Sequence, residues 1–174
     1  RDRLITVMSE QELHVPRFGR VACAPGFRLV AAMNPTASGY APTDSRARDK
    51  YLSKLSGPLL DRIDIHIEVP AVPYRELTSR KPGTDSPTMR QQVLRARAIQ
   101  RTRFTNDINN GSMDSKLLKK YCELNESCLL LMKQAMDELG LSARAYDKVR
   151  RVARTIADIE GTEQINESHL AEAI

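Results

Sequence analysis

The stretch that decides the fold class is Phe27-Arg28-Leu29-Val30-Ala31-Ala32-Met33-Asn34-Pro35. Its short, nearly continuous apolar run is typical of a strand buried on both faces, as in a parallel sheet. The run stops at Asn34, and ligands of open α/β folds bind at the carboxyl ends of parallel strands. A neutral amide there can orient a water molecule or contact a phosphate oxygen. The alternative is that Asn34 and Pro35 simply form a turn.

Two further strand signals lie on either side of this run. Residues 10–24 contain two alternating segments that flank the turn-forming stretch 16–20, which predicts a β-hairpin. Residues 63–69 alternate strictly between apolar and polar, which predicts a strand with one apolar face. Because two parallel strands cannot form a stable sheet alone, we expect the other strands to come from sequence outside this chain.

The sequence changes character after residue 69. Prolines and glycine punctuate residues 70–87, which indicates a linker. Residues 88–174 read as helical, beginning with a strongly basic helix at 88–104. The clearest helix spans 142–160, and its predicted apolar stripe is Val149, Val152, Ala153, Ile156 and Ile159. Helix boundaries are predicted from N-cap residues at Asp114, Asn125 and Asn166 and from terminating glycines at Gly140 and Gly161.

Composition limits the function classes only loosely. The 174 residues are 41% hydrophobic and 28% charged, with a net charge of +5. This is a mild bias toward anionic partners such as nucleic acid. No apolar run approaches the roughly 18 residues of a membrane span. The three cysteines, Cys23, Cys122 and Cys128, form no paired motif, so we expect inert thiols in a reducing cytoplasm and no metal site.

Two arginines stand in motifs that suit phosphate chemistry. Arg62 follows the helix-breaking stretch Ser56-Gly57-Pro58, where a fixed guanidinium could reach toward a neighbouring subunit. The alternative is a pair with Asp61 or Asp64. Arg144 lies in the first turn of the 142–160 helix, and Lys148 and Arg151 follow it at helical spacing. The alternative for these three is an ordinary solvated basic face.

Four motifs in this order and spacing resemble one family, the magnesium-chelatase-like AAA+ ATPases, in particular their ComM/YifB branch. The motifs span residues 27–35, 56–64 and 141–146, together with Val152-Ala153-Arg154-Thr155-Ile156-Ala157-Asp158. The resemblance implies an α/β fragment of a P-loop AAA+ core, with parallel strands and a β-hairpin, followed by an all-α helical lid. The core part would occupy residues 1–69, the linker 70–87, and a basic insert helix with the lid 88–174.

The resemblance also implies roles for single residues. Asn34 matches the sensor-1 position, which senses the γ-phosphate and positions the attacking water. Arg62 matches the arginine finger, which acts on ATP bound to the adjacent subunit. Arg144 matches sensor 2, which reaches from the lid to the nucleotide. These roles imply ATP and Mg²⁺ as cofactors and neighbouring identical subunits in a ring, expected to be a hexamer.

Two basic segments are implied to face DNA. The hairpin at 10–24 resembles the pre-sensor-1 hairpin of this clade, which makes Arg17 and Arg20 candidates for phosphate-backbone contacts. The basic helix at 88–104 resembles the insert that precedes the lid. Its candidate nucleic-acid-binding residues are Arg90, Arg97 and Arg101.

Other family features are missing from the sequence. There is no Gly-x-x-x-x-Gly-Lys-Ser/Thr loop for the phosphates and no apolar run ending in Asp-Glu for magnesium. We therefore expect this segment alone to be inactive and the parent protein to supply both. Residues 36–40 also lack the cysteines usual in the ComM branch, and residues 15–20 look more like chelatase-type or MoxR-type relatives.

The function implied by the resemblance is a cytoplasmic ring ATPase that couples ATP hydrolysis to DNA remodelling, as in branch migration during natural transformation. One alternative is a magnesium chelatase ATPase subunit that drives metal insertion into protoporphyrin. Another is a non-enzymatic helical module that binds nucleic acid through residues 88–104. No membrane partner is expected.

Overall fold

The computed structural model describes residues 12–15, 17, 19–22, 29–33, 57–67, 69–70, 72–77, 83–104 and 108–174. The chain divides into two units, Arg1–Glu68 and Val69–Ile174.

The first unit contains the β-hairpin that the sequence predicts. Strands β1 (Glu12–Val15) and β2 (Gly19–Ala22) pair antiparallel, with His14 opposite Arg20. The turn between them bends sharply because Arg17 and Gly19 both take the left-handed backbone region, with φ values of 74° and 80°. The hairpin prediction for residues 10–24 is therefore confirmed over the described residues.

The two other predicted strands are not confirmed. Residues 29–33 and 63–67 adopt no regular secondary structure. A strand exists only when its backbone groups pair with a neighbouring strand, and within the described residues only β1 and β2 form a sheet. The side chains meant for a buried sheet face are exposed instead, with Val30 at 84% and Ile67 at 79%. The parallel-sheet half of the predicted fold class is thus not confirmed.

A short helix, α1 (Gly57–Leu60), precedes residues 61–67. In the second unit, all regular structure among the described residues is helical. Its elements are α2 (Tyr74–Leu77), α3 (Ser86–Arg103), a 3-10 helix (Asn110–Ser112), α4 (Ser115–Tyr121), α5 (Glu126–Leu139), α6 (Ala143–Glu160) and α7 (Glu167–Ala173). Helix α2 and the first residues of α3 lie inside the stretch predicted as a linker, 70–87.

The predicted helix ends of this unit are confirmed. Asp114 and Asn125 cap α4 and α5, since each side-chain oxygen accepts a backbone N–H in the first turn. Gly140 and Gly161 end α5 and α6 with φ values of 62° and 78°, a conformation that glycine adopts without steric cost. Asn166 begins α7.

The core of this unit is built around α6. Helices α3, α4 and α7 and the 3-10 helix all pack against it. Its apolar side chains are Phe104, Met113, Leu118, Cys122, Leu124, Cys128, Met132, Val149, Ala153, Ile165 and Leu170. This is the helical architecture that the sequence predicts for residues 88–174.

The buried face of α6 differs from the predicted stripe. Val149 and Ala153 are buried as expected, but Ile159 is 44% exposed. Arg154 and Asp158 take buried positions in its place. The face is rotated because these two charged side chains form an internal polar network, which an apolar pattern cannot reveal.

Candidate functional site

Arg62 lies in the helical turn that follows α1 and is half-buried. Its backbone N–H donates to the Leu59 carbonyl at 3.1 Å, and its Nη1 donates to the Pro58 carbonyl at 3.0 Å. The second contact holds the guanidinium of Arg62 against α1, the helix that precedes it. The other predicted catalytic residue, Asn34, lies outside the described residues.

Arg144 lies in the first turn of α6 and is exposed. The helix begins at Ser142, whose Oγ accepts the Ala145 backbone N–H at 3.2 Å. The first turn of an 18-residue helix carries partial positive charge, which favours anions beside it. The structure therefore places the predicted sensor-2 arginine where a phosphate would be favoured electrostatically.

The basic face predicted around Arg144 is not uniform. Arg151 is half-buried, and its Nη2 donates to the Met113 carbonyl at 2.9 Å. This arginine holds the segment before α4 against α6. Of the three arginine and lysine residues proposed for that face, Arg144 alone is exposed, while Lys148 is half-buried.

The hairpin carries the first of the two predicted nucleic-acid contacts. Arg17 and Arg20 are both exposed, one in the turn and one in β2. Arg17 adopts φ 74°, which costs a non-glycine residue on the order of 1–2 kcal/mol. Both residues therefore lie in or next to the turn of the hairpin.

Helix α3 carries the second predicted contact. At about 100° per residue, Arg90, Arg97 and Arg101 fall within roughly 40° of one another around the helix axis. They span roughly 16 Å along it. Arg90 and Arg101 are exposed, and Arg97 is half-buried with its Nη1 donating to Gln100 Oε1 at 3.2 Å. We call these three residues the arginine stripe. Arg95, also exposed, points roughly 120–160° away from them.

Sequence reasoning missed a buried cluster of polar side chains, which we call the Asp158 cluster. It consists of Arg103, Asn110, Arg154 and Asp158. Asp158 is fully buried and accepts hydrogen bonds from Arg103 Nη1 at 2.8 Å, from Arg103 Nη2, from Asn110 Nδ2 at 2.8 Å and from Arg154 Nε at 3.0 Å. The available signal was the spacing of four between Arg154 and Asp158 on one helix.

The Asp158 cluster ties separate elements together. Arg103 comes from the last turn of α3 and Asn110 from the 3-10 helix, while the other two members belong to α6. Arg154 also donates to the carbonyls of Thr162 and Glu163 in the turn before α7. Burial lowers the pKa of Arg154, and the charge of Asp158 opposes that shift. The cluster fixes α3, and with it the arginine stripe, against α6.

Arg150 performs a similar task for α4. Its guanidinium donates to the Leu118 carbonyl at 3.0 Å and to the Cys122 carbonyl at 2.9 and 3.1 Å. These acceptors lie at the C-terminal end of α4, where the Leu118 carbonyl also accepts the Cys122 backbone N–H at 3.0 Å. The neighbouring thiol of Cys122 is buried, which raises its pKa to about 11 against an ordinary value of 9.0. The thiol is therefore protonated at neutral pH, as expected for an inert cysteine.

Two features are absent from the described part of the chain. No group of three metal-ligating side chains occurs there. No helix there is long and apolar enough to cross a bilayer.

The helical unit, with an exposed arginine at the start of one of its two 18-residue helices, is consistent with the C-terminal helical lid of an AAA+ protein. Comparison with known families agrees. Residues 2–77 match the family described as magnesium chelatase, subunit ChlI, and residues 83–174 match magnesium chelatase, subunit ChlI C-terminal. The chain belongs to the magnesium-chelatase-like AAA+ ATPase family.

Individual relatives place the chain in the ComM/YifB branch. It is 42% identical to the competence protein ComM of Haemophilus influenzae, over 85% of this chain and 30% of that protein. It is 36% identical to the uncharacterized protein YifB of Escherichia coli, over 99% of this chain and 35% of that protein. The resemblance stated from the sequence motifs is confirmed. The chain spans about a third of the length of these relatives.

Proposed function

We propose that this chain is the sensor, arginine-finger and lid portion of a ring-forming ATPase that couples ATP hydrolysis to DNA remodelling in the cytoplasm. The observation that carries the choice of DNA is the arginine stripe of α3. Three guanidinium groups on one side of a helix, spread over roughly 16 Å, match the repeated negative charge of a phosphate backbone. The similarity to a protein named for competence supports the same client.

The catalytic part of the proposal assigns Arg62 as the arginine finger. A planar guanidinium suits the charge that develops on a transferring phosphoryl group. Arg62 would act on ATP held by the neighbouring subunit, which requires identical subunits in a ring, proposed to be a hexamer. Asn34 would position the attacking water.

Arg144 would read the nucleotide from the lid. Its place in the first turn of α6 adds the positive end of the helix to its own charge. Because α6 is also the centre of the core, a change at Arg144 would be transmitted to the whole helical unit. This gives the lid a means of responding to the γ-phosphate.

The residues of this chain do not supply a site for ATP and Mg²⁺ by themselves. Its sequence has no phosphate-binding Gly-x-x-x-x-Gly-Lys-Ser/Thr loop, and its described residues hold no candidate metal cluster. We therefore derive no hydrolytic step from this chain. In the proposal, the parent protein holds both cofactors, and this chain contributes the groups that sense and stabilise transferring charge.

DNA binding by the 174-residue chain tests the arginine stripe. Three phosphate contacts predict a log–log dependence of the binding constant on salt with a slope of roughly −3 on duplex DNA. Alanine substitution at Arg90, Arg97 or Arg101 is expected to reduce that slope by about 1 each. Arg95→Ala is the matched control, because Arg95 is exposed on the same helix but points away from the stripe. Equal losses at Arg95 and at the stripe would remove the assignment.

One observation favours a different client, that is, a different molecule on which the ATPase acts. Both matching family models are described as the ChlI subunit of magnesium chelatase. The full-length protein distinguishes the two clients. Stimulation of its ATPase by DNA supports the proposal, whereas ATPase that ignores DNA but drives magnesium into protoporphyrin supports the chelatase function. Absence of any ATPase would leave only a nucleic-acid-binding helical module.

A further inference from the structure

Asn110 and Gly111 form the only Asn-Gly dipeptide in the sequence. This dipeptide is the one most prone to spontaneous deamidation, since glycine leaves the following backbone nitrogen unhindered. In the folded lid, Asn110 is not an exposed loop residue of the usual kind. It begins the 3-10 helix and is 2% exposed.

Three hydrogen bonds hold the Asn110 side chain. Its Oδ1 accepts from Arg103 Nη1 at 2.9 Å, and its Nδ2 donates to Thr155 Oγ1 at 3.1 Å and to Asp158 Oδ2 at 2.8 Å. The partners also fix which end of the amide is which. A guanidinium can only donate and a carboxylate can only accept, so the oxygen must face Arg103 and the nitrogen must face Asp158.

We propose that Asn110 is a deamidation site that the Asp158 cluster keeps from reacting while the helical unit is folded. The reaction needs the Gly111 backbone nitrogen to attack Asn110 Cγ. A C–N bond forms, the Cγ–Nδ2 bond breaks, and the amide leaves as ammonia with the proton lost from the Gly111 nitrogen. Water then opens the cyclic imide to aspartate or isoaspartate. One water is consumed and one ammonia is released, with no oxidant or reductant.

Folding blocks the first step of the reaction, and the deamidated product is less stable in the folded chain. The side chain must leave all three partners before its Cγ can reach the Gly111 nitrogen. After deamidation, a carboxylate replaces the amide and faces the Asp158 carboxylate across a former hydrogen bond of 2.8 Å. Like charges at that distance repel, and the donor to Asp158 is lost. Each local opening of the Asp158 cluster is therefore an opportunity for an irreversible change that weakens the cluster.

The consequence is chemical ageing of the unit that holds the arginine stripe. Arg103 belongs to both α3 and the Asp158 cluster, so loss of Asn110 as a partner loosens α3 from α6. The inference concerns the folded lid alone and uses neither ATP hydrolysis nor DNA binding. Failure of the proposed function would leave it intact, and the reverse also holds.

Mass spectrometry of the 174-residue chain tests the first part. The chain is incubated at mildly alkaline pH, with and without guanidinium chloride, and Asn110 conversion is measured in proteolytic peptides. Conversion in the folded chain is expected to be about 100-fold slower than in denaturant, the suppression given by three hydrogen bonds that must open together. Equal rates, or no conversion at Asn110 in denaturant, would overturn the proposal.

Gly111→Ala is the chemical control. A methyl group at this position hinders attack, so conversion in denaturant should fall. Its Cβ would lie 3.2 Å from Asn109 Oδ1, which caps the 3-10 helix by accepting the Ser112 backbone N–H, so the comparison is made in denaturant, where that folded contact does not arise. An unchanged denatured rate in this variant would contradict the imide route.

Two aspartate variants test the effect of the product. Asn110→Asp reproduces one deamidation product in the buried position and is expected to lower the midpoint of thermal unfolding. Asn109→Asp makes the same change next door, at an exposed N-cap where aspartate serves as well as asparagine, and is expected to leave the midpoint unchanged. Equal midpoints for the two variants would show that the new charge does not disturb the Asp158 cluster.

Discussion

Asp158→Asn is the substitution that tests most directly what stabilises the helical unit. It preserves the size and shape of the side chain and removes only its charge. Arg154 and Arg103 then face a neutral amide, with side chains that are 2% and 11% exposed. The Nδ2 group of the new amide can no longer accept the hydrogen bonds that one carboxylate oxygen received.

The expected cost follows from the loss of a buried charge partner. Removing one partner of a buried ion pair costs about 3–5 kcal/mol, because the remaining charge stays buried without compensation. For a helical unit spanning Val69–Ile174, that loss corresponds to a fall of more than about 12 °C in the unfolding midpoint. Thermal unfolding followed by circular dichroism at the helical band measures it directly.

Asp147→Asn is the matched control on the same helix. Asp147 is 39% exposed, and its carboxylate lies 3.8 Å from Arg150 Nη1. A pair of this kind contributes about 0–1 kcal/mol, so the midpoint should barely change. If Asp158→Asn unfolds at the same temperature as Asp147→Asn, the Asp158 cluster does not hold the lid together.

Three other predictions concern the same unit. Arg150→Leu removes three hydrogen bonds to carbonyls at the end of α4 and should lower the free energy of unfolding by about 2–3 kcal/mol in denaturant titrations, whereas no loss would make those contacts incidental. Gly161→Ala should lower the free energy of unfolding by about 1 kcal/mol, because φ is 78° there. Gly83→Ala, at a glycine without positive φ, should leave it unchanged, and equal effects of the two substitutions would refute the backbone argument. The free energy of unfolding should fall as pH rises from about 9 toward 11, because the Cys122 thiol ionises near 9.0 in the unfolded chain and its folded pKa is about 11. The slope of that free energy against pH should be smaller in Cys122→Ala, and identical slopes would contradict the buried thiol.

The helix ends of the lid could be predicted because their causes are local. Asp114, Asn125 and Gly140 act on backbone groups within one turn, so the sequence around each contains the whole interaction. The hairpin could also be predicted from the sequence, since its two strands are joined by a tight turn.

The features that sequence reasoning missed depend on distant partners. Asp158 meets Arg103 across 55 positions and Asn110 across 48, and no periodic pattern connects them. The strands predicted at 27–33 and 63–69 were not confirmed, for a related reason. An apolar run shows that a segment suits a sheet, but strand formation requires neighbours to pair with.

The family motifs carried information of two kinds. The motif at 152–158 turned out to contain Arg154 and Asp158, which hold the lid together. Arg144, in the motif just before it, is exposed at the start of the same helix. One helix thus carries both the arginine proposed to read the nucleotide and two buried members of the Asp158 cluster.

The ATPase rate of the full-length protein carrying Arg62→Ala tests the central claim most directly. If Arg62 is an arginine finger, the rate should fall by roughly 10³-fold or more while the subunits still assemble. Arg75→Ala, at an exposed arginine in helix α2, should leave the rate unchanged. An Arg62→Ala rate equal to that of the unmodified protein would contradict the account.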